Sequence, residues 1–274
     1  MRQRRVLAWS LCLLLVANAA AAQSVVGILG IASEVRPFEQ QIQKGRDVNV
    51  DGYVFRAGVL NGRDVVIGRS GAGKVNAAIV ATLMLSHFKP VALFFSGTAG
   101  AVDPALRQGD VVVGTTVAQH DAGVLTAAGM RRGGLRNAVT GEMDPMLVPA
   151  PMPLLMTARR SIQTVTLPSM KTPDGERVPR VLEGVIVTGD VFVTDPVRRD
   201  ELRSVLGATA VEMEGAAVVQ TCRQFAVPCL VVRAITDRAD TEASSDYRQF
   251  IGIASQNAAA VVAAIIRGLE REAR

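Results

Sequence analysis

The chain has 274 residues, of which 49% are hydrophobic and 4% aromatic, and its formal charge is +5 at neutral pH. Its basic residues do not cluster with aromatic ones, so we predict no nucleic-acid partner. With two histidines and three cysteines that lack metal-ligand spacing, the composition also excludes a histidine-rich metal site, and we predict neither a metal nor a cofactor.

The first 22 residues have the pattern of a secretory signal peptide. Residues 2–5 include three arginines, an apolar run follows from Val6 to Ala17, and small residues continue to Ala22. A charged start, a short apolar core and an A-x-A site define a cleavable leader. We predict cleavage after Ala22 and export to the periplasm, with residues 23–274 as a single domain without a membrane anchor. The alternatives are an uncleaved anchor and a cytosolic protein with a misassigned start.

Apolar strands alternate with helices through the mature chain. Strands are predicted at 25–30, 53–59, 65–68, 91–96, 111–118, 185–188 and 230–235, and helices at 33–42, 72–88, 213–225 and 247–270. Strands that are apolar on both faces and alternate with helices are typical of α/β proteins. We therefore predict an α/β fold, a three-layer sandwich with a central mixed, largely parallel β-sheet flanked by helices.

Two segments interrupt this alternation. Residues 121–153 contain glycine and proline throughout and are predicted to form a long loop, a candidate flap over a site. Residues 168–179 are predicted to form a surface loop or hairpin. The mature chain also keeps Cys222 and Cys229. Export would permit a disulfide, but their apolar surroundings favour two buried, unbridged thiols.

The segment Gly68–Val75, GRSGAGKV, matches the G-x-x-x-x-G-K part of a nucleotide-binding P-loop. A P-loop continues with Ser or Thr, whose hydroxyl binds Mg²⁺, whereas Val75 stands in that place here. The segment also follows a predicted hairpin with an Asn61-Gly62 turn. We therefore interpret its glycines as a tight strand-to-helix turn and keep a P-loop NTPase as an alternative.

Polar residues follow four of the predicted strands, at the edge where α/β sheets bind ligands. These segments are Ser33-Glu34, Ser96-Gly97-Thr98, Thr188-Gly189-Asp190-Val191-Phe192 and Arg233-Ala234-Ile235-Thr236-Asp237, and Val211-Glu212-Met213-Glu214 opens a helix. Each could be an ordinary helix cap, first-turn acid or salt bridge. Together, however, carboxylates and an arginine at strand ends indicate an assembled site.

The motifs GRSGAGKVNAA, SGTAGA, VTGDVF, VEMEGAA and VVRAITDRAD resemble those of the nucleoside phosphorylase/nucleosidase superfamily. The pattern is most similar to its 5′-methylthioadenosine/S-adenosylhomocysteine nucleosidase branch and extends over most of the mature chain. The resemblance implies a nucleoside phosphorylase-like fold, a nucleoside as small-molecule partner and a homodimer. It also implies hydrolysis of the N-glycosidic bond of an adenine nucleoside, such as 5′-methylthioadenosine or S-adenosylhomocysteine.

The resemblance assigns Glu34 and Asp237 as catalytic residues. Asp237 would deliver or share the proton that the leaving purine takes up, and Glu34 would deprotonate the attacking water. Thr98 and Arg233 would hold that water and the base.

Four further residues are implied to bind the substrate. Glu214 would accept hydrogen bonds from the ribose 2′- and 3′-hydroxyls and strengthen them as positive charge builds on the sugar. Phe192 would stack on the nucleobase, the Val193 backbone would bond its edge, and Met213 would pack under the ribose.

Phosphorolysis is the alternative within the superfamily. Its phosphorylases resemble G-D-P-x-R after the first strand and carry an arginine just ahead of the Gly-Ser/Thr loop, where this chain has Gly30-Ile31-Ala32-Ser33-Glu34 and Phe95. A glutamate there would repel phosphate but suits activation of water. Arg36 and Arg69 remain candidate phosphate ligands. A further alternative is an exported nucleoside-binding protein without catalysis.

The resemblance is weakest after His120-Asp121. Nucleosidases of this branch continue with D-V-T-A-F-G-Y, in a loop that helps to form the 5′-alkylthio pocket across a dimer interface, whereas this chain continues with AGVLTAAGM. The loop before Glu34 is also one residue shorter than usual. The sequence therefore leaves open which 5′ substituent the substrate carries.

Overall fold

The computed structural model describes residues 24–172 and 175–269, so the predicted leader of residues 1–22 lies outside the described residues. The helices are α1 (Ala32–Gln41), α2 (Lys74–Phe88), α3 (Met152–Ile162), α4 (Pro196–Leu206), α5 (Gly215–Gln224) and α6 (Ala243–Gly268). The strands are β1 (Val26–Gly30), β2 (Gln43–Val50), β3 (Tyr53–Leu60), β4 (Arg63–Arg69), β5 (Ala92–Ala101), β6 (Val111–Gln119), β7 (Gly123–Thr126), β8 (Gly129–Arg132), β9 (Val148–Pro149), β10 (Met170–Thr172), β11 (Gly175–Arg177), β12 (Val181–Thr188), β13 (Ala208–Glu212) and β14 (Cys229–Asp237).

The central sheet is mixed and has the order β13-β12-β6-β14-β5-β1-β4-β3-β2. The pairings β1–β4, β1–β5, β5–β14, β6–β12 and β12–β13 are parallel. Strand β13 also pairs with β5, so five strands close on themselves at one end of the sheet. Gly100 of β5 pairs there with both Val211 and Asp237, which brings the ends of β13 and β14 together.

Helices cover both faces of the sheet, as predicted for a three-layer sandwich. Helices α1, α3 and α6 enclose one apolar core cluster, which includes Phe38, Phe94 and Val262. Helices α2 and α5 enclose a second cluster on the opposite face, which includes Met84 and Phe95. Helix α6 is apolar and long enough to span a membrane, but most of its residues are buried in the protein and it serves as a core helix.

The predicted strands and helices are present, but the structure also contains elements that were not predicted. Strand β2 has the polar, exposed sequence QKGRDVNV at the sheet edge and so lacks an apolar strand pattern. Helix α4, which was not predicted, begins where the Asp195 side chain accepts a hydrogen bond from the Val197 N–H as its N-cap. Strand β5 continues through Gly97 and Gly100 to Ala101, because neighbouring strands pair along its whole length.

Of the two segments that interrupt the alternation, residues 121–153 contain more regular structure than predicted, and residues 168–179 agree with the prediction. The prediction that 121–153 is a long irregular loop was wrong at 123–132, where β7 and β8 form an antiparallel pair. The hairpin predicted in 168–179 is confirmed as β10 paired with β11, although residues 173–174 of its turn lie outside the described residues.

Cys222 and Cys229 form a disulfide. The prediction of two unbridged thiols was therefore wrong. Burial was correctly expected, since the two residues are 1% and 4% exposed. The sequence pattern did not show that the end of α5 and the start of β14 lie side by side, with Cα atoms 6.2 Å apart.

Candidate active site

A cavity of about 400 Å³ opens where the strands β1, β5, β13 and β14 end. Its walls contain Ile31, Glu34, Ala72, Thr98, Ala99, Gly100, Phe192, Val211, Glu212, Met213, Glu214, Thr236, Asp237, Ser244, Tyr247 and Arg248. Six of the eight predicted site residues therefore line one cavity. Of the other two, Val193 follows the wall residue Phe192 in sequence, and Arg233 donates a hydrogen bond to the wall residue Glu212. No residue of 121–153, all of which the structure describes, forms part of this wall, so that segment is not a flap over the cavity here.

Glu34 lies in the first turn of α1 and is 4% exposed. One carboxylate oxygen accepts hydrogen bonds from the Thr98 backbone N–H and hydroxyl, both at 2.8 Å, and the other accepts the Ile31 N–H at 2.9 Å. Burial raises the pKa of Glu34, while the Arg233 charge and these hydrogen bonds oppose the rise. The carboxylate is thus fixed in orientation and more basic than a free glutamate, as a base requires.

Arg233 is fully buried behind Glu34, and its main partner is Glu212. Glu212 accepts hydrogen bonds from Arg233 Nε at 3.1 Å and from Arg233 Nη2. The guanidinium also stacks on the Phe95 ring, 4.2 Å from its centroid. Its Nη1 has no hydrogen-bond partner in the described part of the chain. A Cβ added to Gly97 would overlap this Nη1 and approach Glu34 Oε2 to 2.6 Å, so only glycine fits between them.

Glu214 stands at the N-cap of α5, and the turn before α2 holds it. Its Oε1 accepts the Gly73 N–H at 2.7 Å, and its Oε2 lies 3.7 Å from Arg233 Nη2. Burial and the neighbouring Glu212 carboxylate raise the pKa of Glu214 to about 7, against the Arg233 charge. With this pKa the Glu214 carboxyl is partly ionised at neutral pH, and its ionised form is a strong hydrogen-bond acceptor that faces the cavity.

Asp237 lies at the end of β14, just after a register shift in its pairing with β5. Its two oxygens accept the Thr236 hydroxyl at 2.8 Å and the Ala239 N–H at 2.9 Å. Burial raises the pKa of Asp237 to about 6, although both hydrogen bonds oppose the rise. This carboxyl can therefore hold a proton near neutral pH and pass it on.

The aromatic wall of the cavity pairs two residues. Phe192 and Tyr247 meet edge to face, with ring centroids 5.9 Å apart. Phe192 is 44% exposed and its face is free for a planar ligand. Met213 lines the cavity as predicted, whereas the Val193 side chain packs into a hydrophobic cluster with Leu202 and can contribute only its backbone.

The arginines considered as phosphate ligands lie elsewhere. Arg36 and Arg69 line a separate surface depression. Arg69 forms a two-point ion pair with Glu39, at 3.0 and 2.9 Å. Lys74 of the GAGK motif bonds Asp121 at 2.8 Å instead of facing a phosphate site. The P-loop alternative therefore lacks its lysine.

Comparison with known proteins agrees with this geometry. The family model of the phosphorylase superfamily matches residues 24–267. The chain belongs to the phosphorylase superfamily. A 5′-methylthioadenosine/S-adenosylhomocysteine nucleosidase of Exiguobacterium sp. (strain ATCC BAA-1283 / AT1b) is 39% identical over 248 residues, which cover 90% of this chain and 99% of that protein.

Solved structures of superfamily members share the fold. The same kind of nucleosidase from Neisseria meningitidis, in complex with methylthio-immucillin-A, is 30% identical with a TM-score of 0.76, over 90% of this chain and 100% of that one. Futalosine hydrolase of Helicobacter pylori is 29% identical with a TM-score of 0.77, over 90% and 99% of the two chains. These comparisons confirm the resemblance and the fold inferred from the motifs.

Sequence reasoning missed several contributors to the site. Glu212 was noted as an acid without a role, yet it anchors Arg233 and accepts N–H groups of Glu214 and Gly215. Tyr247 lies in the first turns of α6, and no motif singled it out. The Val-Glu-Met-Glu spacing could have suggested that Glu212 and Glu214 lie on the same side, since residues two apart in an extended segment point to the same face.

Proposed function

We propose that this chain hydrolyses the N-glycosidic bond of an adenine nucleoside, with 5′-methylthioadenosine and S-adenosylhomocysteine as candidate substrates. The observation that carries the proposal is the convergence of Glu34, Glu214 and Asp237 on one cavity beside an exposed aromatic face. The products are adenine and a ribose derivative. Similarity to named 5′-methylthioadenosine/S-adenosylhomocysteine nucleosidases at up to 39% identity supports this activity.

Asp237 is the proposed proton donor to the purine. Departure of adenine is easier once a ring nitrogen is protonated, because the neutral base is a better leaving group than its anion. The pKa of Asp237, raised to about 6 by burial, supports this role. Phe192 would stack on the purine and the Val193 backbone would bond its edge, which places the nitrogen within reach of the acid.

Glu34 is the proposed base for water. The bonds from Thr98 and Ile31 leave its carboxylate oriented toward the cavity. The unpartnered Nη1 of Arg233, on the other side of Gly97, supports a site where a water could bond both groups. As the bond to adenine lengthens, the sugar gains oxocarbenium character, and this water would attack its anomeric carbon.

Glu214 is the proposed ribose ligand. Its Oε1 is already bonded by Gly73, and its remaining lone pairs can accept the 2′- and 3′-hydroxyls. Hydrogen bonds to an anionic acceptor strengthen as positive charge develops on the sugar, so they lower the barrier more than they tighten substrate binding. Met213 would pack beneath the ring.

Phosphorolysis has less support than hydrolysis. Glu34 lies just after β1, where phosphorylases have a phosphate-binding motif. The Phe95 ring, at the second phosphorylase arginine position, packs against the Arg233 guanidinium. Arg69 is paired with Glu39 outside the cavity. A dianion would meet four carboxylates and one exposed arginine, Arg248, on the described wall. A binding protein without catalysis would not need the fixed, buried Glu34.

We also propose that the chain is exported and acts as a homodimer. The leader-like residues 1–22 and the Cys222–Cys229 disulfide support an oxidising compartment such as the periplasm. Val75 and Ile79, which are 69% and 40% exposed on one face of α2, supply an apolar surface that a second copy could cover. Light scattering of the purified protein would test the dimer, and cell fractionation would test export.

The activity is tested by chromatography of adenine released from 5′-methylthioadenosine, S-adenosylhomocysteine and adenosine. Wild type should release adenine from at least one of them, and Asp237→Asn should be slower by about 10²- to 10⁴-fold. Asp51→Asn, at an exposed turn between β2 and β3 where asparagine also tolerates the positive φ, should behave as wild type. Undiminished release by Asp237→Asn would contradict the assignment of this acid.

A further inference from the structure

The lysine of the GAGK motif has no role in the proposed chemistry, yet it is tightly held. We propose that Lys74, Asp121 and Asp190 form a clamp that positions the loop carrying Phe192, so that Lys74 is a positioning residue for nucleobase binding. This inference rests on the proposed function, because it assumes that the ligand of the Phe192 wall is a purine. The three residues are called the Lys74 clamp below.

The clamp is a closed ring of three hydrogen bonds. The Lys74 N–H donates to Asp190 Oδ1 at 2.8 Å, and the Asp190 N–H donates to Asp121 Oδ2 at 3.0 Å. Lys74 Nζ closes the ring with Asp121 Oδ1 at 2.8 Å. Each residue comes from a different element, since they lie at the start of α2, after β6 and after β12. The ring therefore ties three separate segments of chain together.

The same turn also reaches the ribose side of the cavity. The Gly73 N–H, one residue before Lys74, donates to Glu214 Oε1 at 2.7 Å. Gly73 has a φ of 87°, in the region that favours glycine, and this conformation lets two successive N–H groups point to different carboxylates. The Gly73-Lys74 pair thus links the proposed ribose ligand to the proposed base-binding loop.

The loop itself, residues 189–195, needs such support. Gly189 is fixed by its N–H to the Glu212 carbonyl at 3.1 Å and by close packing on His120, while Asp195 caps α4 at the other end. Between these anchors, Val191 and Phe192 are 51% and 44% exposed. The backbone and carboxylate of Asp190 are consequently the nearest fixed points before Phe192, and the clamp holds both.

The ion pair inside the clamp is partly desolvated. The side chains of Lys74 and Asp121 are 20% and 27% exposed, so water screens the pair less than it screens a surface salt bridge. The Lys74 bond and the Asp190 N–H lower the pKa of Asp121, against the effect of its burial. Loss of the lysine charge would leave the Asp121 carboxylate free to swing away from Asp190.

The clamp is tested with Lys74→Met, Asp121→Ala and their double variant. For each we expect KM to rise by about tenfold with little change in kcat, because the loop binds the base and does not touch the reacting bond. Adenine alone, titrated by calorimetry, should bind about tenfold more weakly, whereas 5-methylthioribose should inhibit as it inhibits wild type. The double variant should be no weaker than the worse single variant, since both break one ring.

Two comparisons separate positioning from simple destabilisation. Lys89→Met, at the other end of α2, should match wild type. Asp190→Asn should keep near-normal adenine affinity, because its amide oxygen can still accept the Lys74 N–H, whereas Asp190→Ala should lose that affinity. Unchanged adenine affinity in folded Lys74→Met and Asp121→Ala, additive losses, or a fall in kcat at constant KM would overturn the clamp. A wild type that binds adenine without turnover would contradict the proposed function but would still leave the calorimetric test decisive.

Discussion

The Thr98 hydroxyl donates to the same Glu34 oxygen as the Thr98 backbone N–H, and both bonds are 2.8 Å long. This double contact orients the carboxylate and also stabilises its ionised form, so it lowers the pKa of Glu34 against the effect of burial. The proposed base is therefore controlled by a neighbour whose side chain can be altered without a change in size.

Thr98→Val tests this control. The variant loses one hydrogen bond to the ionised carboxylate, so the pKa of Glu34 should rise and the acidic limb of the kcat/KM profile should move to higher pH. At neutral pH we expect kcat to fall by about tenfold, the equivalent of one charge-assisted hydrogen bond. Thr115→Val on β6, which removes a hydroxyl that donates to the Gly184 carbonyl of β12, is the matched control and should leave the profile unchanged. An unmoved acidic limb in Thr98→Val would count against Glu34 as the base.

Asp237 should set the alkaline limb of the kcat/KM profile. If Asp237 must be protonated to deliver its proton, activity should fall as pH rises above about 6, where its raised pKa lies. The combination with Glu34 and Glu214, which must both be ionised, predicts a bell-shaped profile of kcat/KM. Asp237→Asn should show low activity without this alkaline limb. A wild-type profile that stays level up to pH 9 would exclude Asp237 as the titrating acid.

The same raised pKa predicts a stability effect. The folded state binds the Asp237 proton more tightly than the unfolded state, so this group favours folding below pH 4 and that contribution is lost as pH rises through about 6. Asp237→Asn removes the buried charge and should stabilise the protein at pH 8 by up to about 3 kcal/mol relative to wild type. Denaturant unfolding at pH 4 and pH 8 measures the difference, which should be small at pH 4. Equal differences at both pH values would contradict it.

Glu214 should matter most for substrates that carry both ribose hydroxyls. Glu214→Gln keeps an acceptor oxygen but loses the charge, and kcat should fall by about 10²-fold for a ribonucleoside. The loss should be smaller for the 2′-deoxy analogue, because one of the bonds is already missing. Comparison of kcat for both substrates in wild type and Glu214→Gln gives the coupling energy between the Glu214 charge and the 2′-hydroxyl. Glu242→Gln, at an exposed position before α6, is the control, and equal losses for the two substrates would remove Glu214 from the ribose site.

The Cys222–Cys229 disulfide closes a short loop between α5 and β14. The chain-entropy account gives about 2 kcal/mol of stabilisation for a loop of this length, and in a protein of this size the melting temperature should drop by roughly 4–8 °C on its removal. Thermal unfolding of wild type and of Cys222→Ser/Cys229→Ser, with thiol counting under denaturing conditions, checks this. Two free thiols in protein purified from the periplasm would contradict the bridge.

Most of the sheet could be predicted because its strands are apolar on both faces. The apolar runs at 26–30 and 229–232 are continuous and short, and they can hardly form anything but buried strands. Strand β2 could not be found in this way, since a polar edge strand is specified by its pairing with β3. The disulfide was missed for the same reason, because it depends on a tertiary neighbourhood.

The proposed site could be located from strand ends, but its internal contacts could not. Glu34, Glu214 and Asp237 come from distant parts of the sequence, and only the closure of β13 onto β5 brings two of them to one edge. Nothing in the chain order indicates that Arg233 pairs with Glu212 or that Gly73 bonds Glu214. The near-match to a P-loop lies beside the site, but its Gly73 and Lys74 bond carboxylates of the protein instead of a phosphate.

The central claim, hydrolysis without phosphate, is tested most directly by product analysis. Purified protein is incubated with 5′-methylthioadenosine in rigorously phosphate-free buffer, and adenine and the sugar product are identified by chromatography and mass spectrometry. The account predicts equal amounts of adenine and free 5-methylthioribose, at a rate that added phosphate does not increase. A strict requirement for phosphate, with 5-methylthioribose 1-phosphate as the product, would contradict it.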